Sequence, residues 1–152
     1  MRDHYETKLT IAVADYLRGE VHKGKQVIHL GVPFPDMLWA MIANEGRSAK
    51  DGAKFKRMGV RRGMSDFIMW YGKNSYAIEL KSLTGTQSPY QRDFQVRFEQ
   101  HGGKYAICRT VAQLRDQLIA WGIKCHNSNC IEPSGSFDEK RLASHDFYKP
   151  RG

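Results

Sequence analysis

The sequence predicts an α/β domain built around one mixed β-sheet with helices on its faces. Two observations carry the prediction. Stretches of helical period alternate with short apolar stretches of strand length, and turn residues separate them. In addition, 152 residues with 41% hydrophobic content suit a single core followed by a tail.

The elements follow in order. Residues 5–20 have helical spacing, with Leu9, Ala12, Val13, Tyr16 and Leu17 on one stripe and Lys8, Asp15 and Arg18 off it. Asp3 supplies a cap. Residues 27–30 form a short candidate strand, and the two prolines of Val32-Pro33-Phe34-Pro35-Asp36 then break regular structure. Residues 37–43 are apolar and read as a buried strand. Ser48 caps a helix over 49–58, which Gly59 ends. Strands over 65–71 and 75–81 flank the turn Gly72-Lys73-Asn74. After the polar loop 83–87, Ser88-Pro89 starts a helix reaching about His101, with proline at the first helical position and Gly102-Gly103 as the stop. A strand over 105–109 and a helix over 111–121 complete the domain, taken as residues 1–125. Residues 126–152 are polar and read as a tail without its own core.

Charge narrows the functional classes. Twenty-four Lys and Arg against sixteen Asp and Glu give a net charge of +8, a field that attracts polyanions such as phosphate backbones. Cys108, Cys125 and Cys130 are too few to read as a disulfide framework. Cys125, His126 and Cys130 lack the second ligand pair of a zinc site. A polar N-terminus and short apolar runs argue against a signal peptide or a membrane span, and a cytoplasmic setting is expected.

The chemistry is concentrated in Ser65-Asp66-Phe67-Ile68 and Ile78-Glu79-Leu80-Lys81. Alternation along a strand puts Glu79 and Lys81 on one face with Ala77, their Cα atoms about 6–7 Å apart, and turns Tyr76, Ile78 and Leu80 toward an apolar layer. A hairpin brings Asp66 alongside. Carboxylates of Asp66 and Glu79, with the Leu80 carbonyl as a third oxygen, are hard ligands suited to Mg²⁺ or Mn²⁺. Lys81 can orient water or neutralise charge on a phosphate. Gln91, at the start of the following helix, can reach back to position water or a phosphate, and Ser88 beside it is assigned to nucleic-acid contact. Arg47, Lys54, Lys56, Arg57, Arg61 and Arg62 form the densest basic stretch and are assigned to phosphate contacts, although such runs are often solvated helix faces. Pro35-Asp36 is rejected as the acidic partner because it lies in a loop. Trp39, Trp70 and Trp121 are assigned to the core, Tyr90 and Phe94 to packing.

These runs, together with Ile42-Ala43-Asn44-Glu45-Gly46-Arg47, Val60-Arg61-Arg62-Gly63 and Ser88-Pro89-Tyr90-Gln91, resemble the virus-type replication-repair nuclease (VRR-NUC) family, a branch of the PD-(D/E)xK nucleases. The resemblance implies a restriction-endonuclease-like fold and metal-dependent hydrolysis of DNA phosphodiesters. It also implies that Asp66, Glu79 and Lys81 are the motif residues, Gln91 their helical companion, and Glu6 a further acidic ligand, a role for which Glu45 competes. Ser65 stands where the family usually has proline. Small stand-alone members act on branched DNA such as four-way junctions and pair as homodimers. A nickase or flap nuclease, or a DNA-binding module without catalysis, is the alternative.

Overall fold

A computed structural model describes residues 4–43 and 49–127. Asp3, Glu45, Arg47, Ser48 and the tail beyond Asn127 lie outside the described residues. The order is α1 (His4–Arg18), β1 (Glu20–Lys23), β2 (Gln26–His29), β3 (Leu38–Met41), α2 (Ala49–Arg57), β4 (Phe67–Tyr71), β5 (Asn74–Leu80), α3 (Pro89–Gln100), β6 (Lys104–Cys108) and α4 (Val111–Ala120).

Helix α1 buries the predicted stripe but ends earlier than residue 20. Gly19 takes a φ of +68°, and a Cβ there would stand 2.0 Å from the Gly31 carbonyl oxygen. The chain therefore turns at once into β1. That strand pairs antiparallel with β2 in a small sheet of its own. The sequence reading found only the second of the two. With Val21 as its one buried residue, Glu-Val-His-Lys carries no strand signal until its partner is known.

The main sheet has the order β3-β4-β5-β6, antiparallel except that β6 runs parallel to β5. The predicted mixed sheet is therefore present. The expected burial of the 37–43 strand is corrected: β3 is an edge strand with Leu38 68% and Met41 47% exposed.

Alternation sorts the sheet into two faces. On one, Phe67, Met69, Tyr76, Ile78 and Leu80 pack with Leu9, Val13 and Leu17 of α1 and Leu114 and Leu118 of α4. Each such fully buried aliphatic side chain stabilises the fold by about 1.5–3 kcal/mol. The other face carries Ala77 and Glu79. There α3 packs on β6, with Phe94 stacked on Phe98 at 5.5 Å and tilted against Tyr105 at 6.3 Å. Helices thus flank both faces. Trp70 belongs to this second face and is 41% exposed, not a core residue as expected. Trp39 and Trp121 are partly buried against the core.

His126 and Asn127, assigned to the tail, fold back on the domain: His126 N donates to the Pro33 carbonyl and Asn127 Nδ2 to the Gly31 carbonyl. Cys108 is a buried free thiol, while Cys125 is disulfide-bonded, against the expectation from the cysteine count. Among the described residues, no helix is long and apolar enough to cross a membrane.

Candidate active site

The β4–β5 register pairs Phe67 with Ile78. Continued by one residue, it sets Asp66 against Glu79, a separation of about 4.5–5.5 Å between Cα atoms. Asp66 is fixed there because its Oδ2 accepts a 2.7 Å hydrogen bond from the Leu80 main-chain N. The residue between Glu79 and Lys81 therefore anchors the carboxylate opposite. Buried Ser65 donates its hydroxyl to the Phe67 carbonyl at 3.1 Å, a local tie in the position that proline holds in the family motif.

Glu79 and Lys81 point the same way, as alternation requires, with Lys81 Nζ 3.2 Å from Glu79 Oε1. Both are nearly buried, at 2% and 8% exposure. The same Oε1 accepts a 2.6 Å hydrogen bond from Gln91 Nε2. Helix capping fixes which way that amide faces. Gln91 Oε1 accepts from Ser88 N at 2.8 Å, and Ser88 Oγ accepts from Gln91 N at 3.2 Å, a reciprocal capping box. The amide oxygen is thus engaged, and the NH₂ is turned toward the carboxylate. Gln91, expected to reach back toward the site, is thus hydrogen-bonded to Glu79. Ser88 caps the helix, as its place before Pro89 predicts.

Glu6 reaches the same end of β5 from α1. Its Oε1 accepts from Ser82 N at 3.2 Å, one residue beyond Lys81. Leu80 contributes main chain only, its side chain being wholly buried in the core. Lys54, Lys56 and Arg57 are exposed on α2, and Arg61 and Arg62 on the loop before Asp66. That loop is pressed on α3. Gly63 has a φ of +78°, and a Cβ there would lie 2.3 Å from the Tyr90 carbonyl carbon. The Arg62 guanidinium lies 5.8 Å from the Tyr90 ring centre, so Tyr90, expected to pack inside, is an exposed cation–π partner.

Arg109 was missed by the sequence reading. Its Nη1 donates to the carbonyls of Ser82 and, at 2.9 Å, Gly85, closing the loop after Lys81. Its own carbonyl accepts from the Tyr5 hydroxyl at 3.0 Å. Arg109 therefore ties the start of α1 to the loop after β5, the first through its main-chain carbonyl and the second through its guanidinium. No local signal marks it, because it reaches the site only through the parallel pairing of β6 with β5. Tyr105 was also missed. Burial, and then the nearby Glu79 charge, hold its phenol well above the usual range.

Asp36 pairs with His126 at 2.8 Å and precedes β3 where Leu38 lies opposite Trp70, toward the end of β4 farther from Asp66. Asp15, Glu20 and His22 also form a close triplet of metal-capable side chains. Asp15 lies nine residues from Glu6 on α1, about 14 Å along the helix, so the triplet is separate from the carboxylates described above.

A family model described as the VRR-NUC domain matches residues 23–112, more than half of the chain. The chain belongs to the VRR-NUC family. It is accordingly a nuclease domain of the PD-(D/E)xK type, with DNA as its substrate class. One solved structure, described as a "VRR_NUC domain protein", is similar at 20% identity and a TM-score of 0.49, covering 76% of this chain and 84% of that one. No curated protein matches the chain.

Proposed function

We propose that this VRR-NUC domain is a divalent-metal-dependent DNA endonuclease whose catalytic centre is Asp66, Glu79 and Lys81, with Gln91 as the residue that orients Glu79. One observation carries the reading: Asp66 is hydrogen-bonded to the main chain between Glu79 and Lys81, so that two carboxylates and an ammonium group share one end of the hairpin.

The donor set fits a hard cation. Asp66, Glu79 and, at the margin, Glu6 offer carboxylate oxygens, joined in this reading by the Leu80 carbonyl, and such a set suits Mg²⁺ or Mn²⁺ better than a softer ion. Like charges held opposite one another repel, and an ion shared between them relieves that repulsion. When bound, the ion supplies Lewis-acid polarisation of the phosphoryl oxygen and a water of lowered pKa. Lys81 faces the phosphate and neutralises charge as the P–O bond to the leaving oxygen breaks. Gln91 keeps the Glu79 carboxylate from rotating away.

Exposed Arg61 and Arg62, with Lys54, Lys56 and Arg57 on α2, supply phosphate contacts, and Arg47 and Ser88 join them in this reading. The finer assignment is cleavage of branched DNA, such as a four-way junction, by a homodimer in the cytoplasm. Its support is the family's habit and edge strand β3, whose exposed Leu38 and Met41 a second copy can cover. The test is cleavage of duplex, flap and junction DNA with Mg²⁺ or Mn²⁺ by wild type and Lys81→Ala, alongside binding of each DNA without metal. Wild type is expected to cut, and Lys81→Ala to bind without cutting. Failure of wild type to cut any of these DNAs with either ion refutes the reading.

A further inference from the structure

Between Arg61 and α3 lies a cleft of about 530 Å³. Asp93 and Arg97 on α3 and His101 at its C-cap line it, as do Phe94 and Phe98, whose rings stack on each other. Asp93 is ion-paired with Arg97 at 3.1 Å, which balances the acid. The cleft thus offers basic side chains next to flat apolar rings. That combination matches a single nucleic-acid strand, whose phosphates need cations and whose bases present apolar faces that rings and guanidinium groups accept.

Its position relates it to the carboxylates. Gln91, at the start of α3, holds Glu79, and Arg97 is six residues further along, about 9 Å on the helix axis. A strand stacked at about 3.4 Å per nucleotide covers that distance in roughly three nucleotides. The opposite wall is fixed in place, because Gly63 presses the loop carrying Arg61 against the main chain of Tyr90 and Gln91. The cleft is open on one side, and its volume suits a unit the size of a small molecule better than a duplex.

We propose that the cleft receives an unpaired stretch of the DNA strand a few nucleotides from the scissile phosphate. The proposal rests on the nuclease reading above and deepens it: among branched DNAs it favours those with an unpaired segment beside the cut over a fully paired four-way junction.

The test is fluorescence anisotropy in EDTA with the full-length protein. A blunt duplex is compared with the same duplex bearing a short single-stranded tail. Wild type is expected to bind the tailed DNA about tenfold more tightly, the worth of stacking one base. Val96→Glu and Arg97→Gln alter exposed cleft residues, and circular dichroism checks that each variant folds. Each is expected to remove most of that preference while changing blunt-duplex affinity less than about threefold. Equal wild-type affinity for the two DNAs, or equal losses on both in the variants, overturns the proposal. Cleavage is read separately with Mg²⁺. A protein that prefers the tailed DNA but cuts neither keeps the cleft and loses the nuclease reading.

Discussion

Gly63→Ala is a sharp test of how the site is held together. The glycine has a φ of +78°, and the place of a Cβ is taken by main chain of α3, 2.3 Å from Tyr90 C, 2.4 Å from Tyr90 O and 2.8 Å from Gln91 N. The left-handed backbone alone costs alanine about 1–2 kcal/mol. Restoring an ordinary contact of about 3.5 Å requires loop and helix start to separate by about 1 Å. Gln91 moves with that helix start. Its 2.6 Å bond to Glu79 then lengthens to about 3.7 Å, beyond a hydrogen bond. Misplacing a positioning group by about 1 Å lowers turnover on the order of a hundredfold. The assay is single-turnover cleavage at saturating Mg²⁺, well below the melting temperature, with circular dichroism to confirm folding. Gly59→Ala is the control, because Gly59 has a φ of +90° but nothing within 4 Å of a Cβ. It suffers the same backbone penalty without the collision and is expected to lose stability while keeping its cleavage rate. A folded Gly63→Ala protein that cuts at the wild-type rate, or a Gly59→Ala protein that is equally impaired in cleavage, refutes the reasoning.

Two further predictions concern the frame around the site. Arg109→Ala removes the donor that closes the Ser82–Gly85 loop, so Ser82 N, the partner of Glu6, is no longer held in place. The Mn²⁺ concentration for half-saturation, followed by electron paramagnetic resonance without DNA, is expected to rise about tenfold, and an unchanged value refutes the role. At alkaline pH, burial raises the Cys108 thiol from 9.0 to about 12 and the Tyr16 phenol from 10.0 to about 12. Both groups ionise more readily in the unfolded chain, so their contribution is whole below about pH 9 and is lost between about 9 and 12. Guanidinium midpoints are expected to fall between about pH 8 and 11, and a flat profile over that range contradicts the burial argument.

Much of this was legible in the residues because local chemistry encodes it. The period of α1, the Ser88-Pro89 start of α3 and the alternation that sends Glu79 and Lys81 one way and Ile78 and Leu80 the other depend only on neighbours in sequence. The same is true of Asp66, which one short hairpin connects to Glu79. Where the reading fell short, the missing information was a partner distant in the chain. Val21 reads as nothing until β2 lies beside it. Leu38 and Met41 look buried until the order of strands puts β3 at an edge. Arg109 acquires its role only when β6 lies parallel to β5, and Gly63 only when the loop meets α3. Periodicity determined which face each side chain takes. Strand order, helix placement and close backbone approach were decided by packing between segments far apart in sequence, to which no local pattern is sensitive.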